Sequence, residues 1–135
     1  MMPFDVRVLE CKPRVLVVDD DLAILRALAR MIGREFEVHA ASTTAEAASM
    51  LATTGFVAVI SDYDMPGDRD GLYVLARARE LQPSARRVLH TGSDPHGIRL
   101  RGESWLVEHL LSKPASKDEL LATLSSHRGP PESLC

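Results

Sequence analysis

Short apolar runs alternate with helical patterns along the whole chain. Val15-Leu16-Val17-Val18 has no polar alternation, as expected of a central strand buried on both faces. Leu25, Leu28 and Ile32 then recur at helical spacing, with Asp21 as a cap and Gly33 as a stop. Phe36 to Ala41 reads as a second strand. Thr43-Thr44-Ala45-Glu46 has the form of a capping box and opens a helix that should end near Gly55. Val57 to Ser61 is a third strand, and Leu72, Leu75 and Leu81 mark a helix stopping before Pro83. Arg87 to His90 is a fourth strand. The segment from Ser93 to Ser104 holds Pro95, Gly97 and Gly102, so any helix there is short. Leu110 to Ser112 is a fifth strand, and Ser116-Lys117-Asp118-Glu119 opens a last helix carrying Leu120, Leu121 and Leu124. Strict alternation of strands and helices predicts a parallel sheet in an α/β doubly wound fold.

Each of four strands ends in polar groups. Asp19-Asp20 follow the first, Asp62 the third, Thr91-Gly92 the fourth and Lys113-Pro114 the fifth. In an open parallel sheet the carboxyl ends of the strands lie side by side, in the crevice where such folds bind ligands. Residues far apart in sequence should therefore meet in space. Three crowded carboxylates repel one another and need a cation to stay ionised. Lys113 supplies one charge. A hard divalent ion such as Mg²⁺, held by carboxylates, waters and a phosphate oxygen, would supply more.

Composition narrows the function classes. The 135 residues suffice for one domain with a single core, and apolar residues make up 45%. A net charge of −3 is too mild to favour nucleic acid or an anionic membrane as main partner. No apolar stretch approaches a membrane span, and the N-terminus lacks the apolar core of a secretory signal. Cys11 and Cys135 stand far apart without metal-ligand spacing, which fits free thiols in a reducing cytoplasm. The expected organisation is an extension over 1–13, a domain over 14–127 and a flexible tail over 128–135.

The set Asp19-Asp20, Asp62 followed by Met65-Pro66, Thr91-Gly92 and Lys113-Pro114 resembles the receiver domain of bacterial two-component response regulators. The resemblance spans about residues 14 to 127. It implies a flavodoxin-like (βα)5 fold, a five-stranded parallel sheet with helices on both faces. It further implies that Asp62 accepts a phosphoryl group from a sensor histidine kinase or a histidine phosphotransfer protein. By the same resemblance Asp20, Asp62 and the Asp64 backbone carbonyl would bind Mg²⁺, with Asp19 acting through a water. Lys113 and the Thr91 hydroxyl would hold phosphoryl oxygens, and Asp64 and Ser93 would tune the lifetime of the acyl phosphate. Pro114 should hold Lys113 extended. The histidines, lacking ligand spacing, read as structural or surface residues.

Three departures from the family pattern stand out. Gly67-Asp68-Arg69-Asp70 makes the loop before Gly71 one residue longer than usual. Leu110 occupies the switch position where many receivers carry Tyr or Phe, so coupling from Thr91 to an aromatic ring cannot operate. The Ser93 to Ser104 segment is poorly helical. The expected function is a stand-alone, chemotaxis-regulator-like phosphoacceptor that is not an enzyme and signals from the cytoplasm by docking to a downstream protein, without nucleic acid or membrane. Two other readings use the same residues. One is a docking module that signals without phosphorylation. The other takes Asp62-Tyr63-Asp64 as the Asp-x-Asp of a haloacid-dehalogenase-like phosphatase, but Pro66 and the motif's place on the third strand disagree with it.

Overall fold

The computed structural model describes residues 12–92 and 104–125. Within them run β1 (Arg14–Val18), α1 (Leu22–Ile32), β2 (Glu37–Ala41), α2 (Thr44–Thr53), β3 (Ala58–Ser61), α3 (Gly71–Leu81), β4 (Arg86–Thr91), a 3-10 turn (Ser104–Leu106), β5 (His109–Ser112) and α4 (Lys117–Ser125). The five strands form one parallel sheet in the order β2-β1-β3-β4-β5. From β1 the chain steps outward to β2, then crosses back to β3 on the far side of β1. The direction of winding thus reverses between β1 and β3, the place where such sheets bind ligands.

The sheet is buried on both faces, and alternate residues of each strand feed two separate cores. Leu16, Val18, Val59 and Leu89 pack with Leu51 of α2 and Leu72, Val74 and Leu75 of α3. Val15, Val17, Ile60, Val88 and Leu111 pack with Leu25, Leu28 and Ile32 of α1 and with Leu120 and Leu124 of α4. The helical spacing read from the chain marks the buried faces, except at Leu81, which is exposed at the end of α3. A helix ahead of β5, expected within Ser93 to Ser104, lies outside the described residues apart from the 3-10 turn, as do the chain ends.

Local chemistry fixes the helix ends. Asp21 Oδ1 accepts the Ala23 N–H, and Thr43 Oγ1 accepts the Glu46 N–H. Glu46 reaches back to the Ser42 N–H, one residue before the usual capping-box partner. Ser116 and Glu119 bond reciprocally at the start of α4. α2 stops at Thr53, two residues short of Gly55, because Gln82 takes over its end. The Gln82 amide donates to the Leu51 and Thr54 carbonyls and accepts the Phe56 N–H, satisfying last-turn carbonyls and aiming the chain into β3.

β4 holds more polar groups than its pattern suggested. Arg86, Arg87 and His90 are all buried. Arg87 Nε donates to the Leu106 carbonyl at 2.8 Å and its N–H to Glu108, tying the 3-10 turn to the sheet. Arg86 donates to His109 Nε2 at 2.8 Å, which requires that nitrogen to be an unprotonated acceptor.

Candidate functional site

β1 and β3 are adjacent and in register, with Val18 opposite Ser61. The next residue of each strand, Asp19 and Asp62, therefore emerges beside the other at the point where the winding reverses. The Asp62 N–H continues the ladder to the Val18 carbonyl at 2.8 Å, and the Asp19 N–H bonds to Ala41 of β2 at 3.1 Å. Backbone bonds on two strands thus hold both carboxylates in place. Asp20 lies at the lip, exposed, while Asp19 and Asp62 are buried. Carboxylate oxygens of the three residues come within 4.8 Å of one another.

Lys113 reaches this cluster from the end of β5, two strands from Asp62. Its N–H bonds to the Thr91 carbonyl at 2.9 Å, which fixes the loop after β5 against the end of β4. Its ammonium then lies 2.8 Å from Asp19 Oδ2 and 3.2 Å from Asp62 Oδ1. The Lys113-Pro114 peptide bond is cis, a detail the sequence did not disclose. Asp19 has both oxygens engaged, Oδ1 by the Asp21 N–H at 2.9 Å and Oδ2 by Lys113.

The charges are unbalanced. Burial pushes the Asp62 carboxyl pKa up, the neighbouring Asp19 charge adds to the rise, Lys113 opposes it, and Asp64 pushes it up again. Burial lowers the Lys113 pKa, but its bonds to Asp19 and Asp62 outweigh this and leave it raised. Both partners hold their protons more tightly than usual, Asp62 chiefly because it is buried and then because Asp19 is close, and Lys113 because two carboxylates face it. An all-oxygen donor set of this kind matches a hard divalent cation.

The loop after β3 closes the other side of the site. Gly71 sits against the backbone there: a Cβ at this position would fall 1.9 Å from the Asp62 carbonyl oxygen. The Gly71 N–H donates to the Tyr63 carbonyl at 2.9 Å, and Asp70 caps α3 through the Leu72 and Tyr73 N–H groups. Pro66 to Arg69 of this loop are exposed, Gly67 adopts φ +96° and Arg69 stacks over the Tyr73 ring.

Of the residues singled out from sequence, Asp19, Asp20, Asp62 and Lys113 converge. Thr91 is buried at the end of β4, beside the Lys113 backbone, and Asp64 is exposed in the loop after Asp62. Ser93 lies outside the described residues. Leu110 is half-buried against the α2 and α3 core, opposite Leu89 in the β4–β5 register. His90, read from sequence as a structural or surface residue, is buried, and its Nε2 has no hydrogen-bond partner among the described residues. Burial lowers its pKa and the Lys113 charge lowers it further, with Asp19 and Glu119 opposing. Its place immediately before Thr91, inside a strand buried on both faces, was the available signal.

The family described as response regulator receiver domain matches residues 15–125. The chain belongs to the response regulator receiver domain family. Among curated relatives, the acid tolerance regulatory protein ActR of Sinorhizobium medicae is 33% identical over 124 residues, covering 88% of this chain and 63% of ActR. The response regulator MprA of Mycobacterium sp. (strain KMS) is 32% identical over 112 residues, covering 82% of this chain and 48% of MprA. This chain thus spans less than two thirds of each of these relatives. Among solved structures, the response regulator TrrA of Thermotoga maritima, in complex with Mg²⁺-BeF, superposes with a TM-score of 0.74 at 29% identity, over 83% of this chain and 96% of that one. A Burkholderia pseudomallei response regulator with a phosphorylated aspartic acid gives a TM-score of 0.77 at 28% identity, over 85% and 68%. Five parallel strands in the order above are the flavodoxin-like arrangement expected from the resemblance. Among the described residues, no helix is long and apolar enough to cross a membrane.

Proposed function

We propose that this chain is the phosphoacceptor of a two-component phosphorelay, taking a phosphoryl group from a phosphohistidine onto Asp62. The observation that carries this reading is the Lys113 ammonium between Asp19 and Asp62, at the reversal point of a receiver-type sheet. An oxygen of the Asp62 carboxylate attacks phosphorus, and the P–N bond to the imidazole breaks. The bonding pair leaves with the ring nitrogen; with the other ring nitrogen of the phosphohistidine protonated, the donor returns as neutral histidine and Asp62 becomes an acyl phosphate. Such a transfer mainly needs alignment and charge neutralisation.

This chain's residues divide that work. Backbone bonds to Val18 and Tyr63 hold the Asp62 segment, and Lys113 follows the charge from carboxylate to phosphoryl oxygen. The Thr91 hydroxyl binds a second phosphoryl oxygen. Asp20 and Asp62, with the Asp64 carbonyl, would hold Mg²⁺, which would offset the negative charge of the carboxylates and the phosphoryl group; Asp19, with both oxygens already engaged, would contribute through a water. By the family resemblance, Asp64 and Ser93 tune the lifetime of the acyl phosphate. Leu110 leaves no aromatic switch, so output passes by docking of the phosphorylated face to a downstream protein. The test is acetyl phosphate with Mg²⁺ followed by intact mass: one phosphate should add to the wild type and none to Asp62→Asn. Undiminished labelling of that variant refutes the assignment.

A further inference from the structure

His90 is a buried titratable group that the phosphoacceptor reading leaves unused. Val18, Ser61, Leu89 and Leu110 form one row in register across β1, β3, β4 and β5. The next row is Asp19, Asp62, His90 and Leu111. Side chains alternate along a strand, so those of one row share a face. Leu111 marks it as the face covered by α1 and α4. His90 thus stands beside Asp62, about 4.8 Å away by the strand spacing. Lys113 follows Leu111 by two residues and leaves β5 on the same face. Its ammonium pairs with Asp62 beyond β3 and Asp19 beyond β1. To reach them from β5, its side chain must pass the end of β4, where His90 stands.

Packing does not call for an imidazole here. His90 is 4% exposed, and its Nε2 has no hydrogen-bond partner among the described residues. A leucine beside Leu111 would leave no nitrogen unmatched. Burial and the Lys113 charge favour the neutral ring. At Nε2 a neutral ring offers either a lone pair or an N–H, by tautomer. The charges that reach it are those of Lys113, Asp19 and Glu119. Asp19 has both oxygens engaged, and Glu119 Oε1 accepts the Ser116 N–H. Lys113 has three N–H groups and two carboxylate partners among the described residues. It is the neighbour with a proton to offer a lone pair. Its carboxylate partners are also groups that a divalent ion would draw on. An ion held by Asp20 and Asp62 would compete for the Asp62 carboxylate and repel the ammonium. Lys113 must nevertheless stay at the site to receive a phosphoryl oxygen.

We propose that His90 is a positioning residue for Lys113: when a divalent cation occupies the acidic cluster, His90 Nε2 accepts a hydrogen bond from the Lys113 ammonium and holds it beside Asp62. The proposal rests on the phosphoacceptor reading and adds a residue to it. A neutral acceptor holds the lysine without adding negative charge to a site that already has an excess.

The test uses the full chain with ¹⁵N-labelled histidine at neutral pH. The His90 Nε2 resonance, assigned by its loss in His90→Leu, should move on adding Mg²⁺ alone, in the direction of an accepted hydrogen bond. The movement should vanish in Lys113→Met, although the charge of the ion is still felt there. In parallel, labelling by acetyl phosphate at saturating Mg²⁺ should slow in His90→Leu by about 10-fold, the worth of one hydrogen bond to a charged group. His90→Gln, which restores an acceptor, should recover most of the rate. A purely structural His90 gives the reverse order, because leucine suits a buried apolar place better than an amide. An Nε2 resonance unmoved by Mg²⁺, or moved equally in Lys113→Met, overturns the proposal. So does labelling of His90→Leu at the wild-type rate, or faster than His90→Gln. Failure of acetyl phosphate to label the wild type would instead remove the phosphoacceptor reading, and the Mg²⁺ titration would still decide whether His90 holds Lys113.

Discussion

Gly71 packs directly on the backbone of Asp62. A methyl group on Gly71 would lie 1.9 Å from the Asp62 carbonyl oxygen, closer than real side chains approach, and 3.0 Å from the Tyr63 Cα. The contact couples the first residue of α3 to the backbone of Asp62, and only a residue without Cβ permits it. Gly71→Ala must therefore displace either the start of α3 or the end of β3. We expect a loss of about 3 kcal/mol in urea denaturation, at the upper end of overpacking effects. We also expect slower labelling by acetyl phosphate in the fraction that remains folded. A stability within error of wild type would show that this contact is slack.

Asp62 should limit stability at neutral pH. Burial and the Asp19 charge raise its carboxyl pKa, so the folded chain holds this proton more tightly than the unfolded chain. Its contribution to stability is full below the ordinary value of 3.8 and is lost as pH rises through the raised value. At pH 7 the ionised Asp62 is therefore a net burden that an amide would not impose. Asp62→Asn should melt about 4 °C higher at pH 7, the shift produced by ~1 kcal/mol in a domain of this size. The gain should shrink near pH 4. Millimolar Mg²⁺ should narrow the gap by stabilising the wild type more. A lower melting temperature for Asp62→Asn at pH 7 would show that the Lys113 pairing dominates instead.

Much of this arrangement is legible from sequence because strand ends are. Val15 to Val18 and Val57 to Ile60 have only one reasonable secondary structure, and the residues just past each run must emerge at the carboxyl edge of a parallel sheet. The convergence of Asp19, Asp20, Asp62 and Lys113 is a consequence of that geometry. The features that escaped depend on contacts the chain makes with itself at a distance. The Gly71 contact needs the loop's closing geometry, and the cis Lys113-Pro114 bond is one of two isomers that X-Pro accepts. Buried strands also hide their polar members. With both faces packed, β4 has no alternation to betray Arg86, Arg87 and His90 as inward-facing groups.

His90 should make the fold acid-sensitive. Its pKa is lowered by burial and by Lys113, so the unfolded chain binds this proton more readily than the folded one. Stability is then lost as pH falls through and below the ordinary value of 6.5. Replacing the imidazole by a hydrocarbon removes both the titration and a buried nitrogen that has no partner among the described residues. His90→Leu should equal or exceed wild-type stability at pH 7.5 and lead it by a wider margin at pH 5.5. The other histidines are common to both proteins, so the difference between the two isolates His90. A margin that stays constant between these pH values would show that His90 does not titrate there.

Asp64 should shorten the life of the phosphorylated state. It lies two residues after Asp62, exposed, and its charge is felt at the Asp62 carboxyl, where it raises the pKa. The same charge would act on a phosphoryl group carried by Asp62. It can repel that anionic group, orient an attacking water as a base, or draw Lys113 away from the phosphoryl oxygens. All three effects favour hydrolysis. Asp64→Asn keeps the size and the backbone carbonyl, so Mg²⁺ binding by that carbonyl is preserved while the charge is removed. We expect the aspartyl phosphate to last roughly 3-fold longer or more, equivalent to under 1 kcal/mol of barrier at the lower figure. The measurement is decay of the phosphorylated protein after removal of acetyl phosphate, at fixed Mg²⁺. An unchanged or shortened lifetime would leave Asp64 with a backbone role alone.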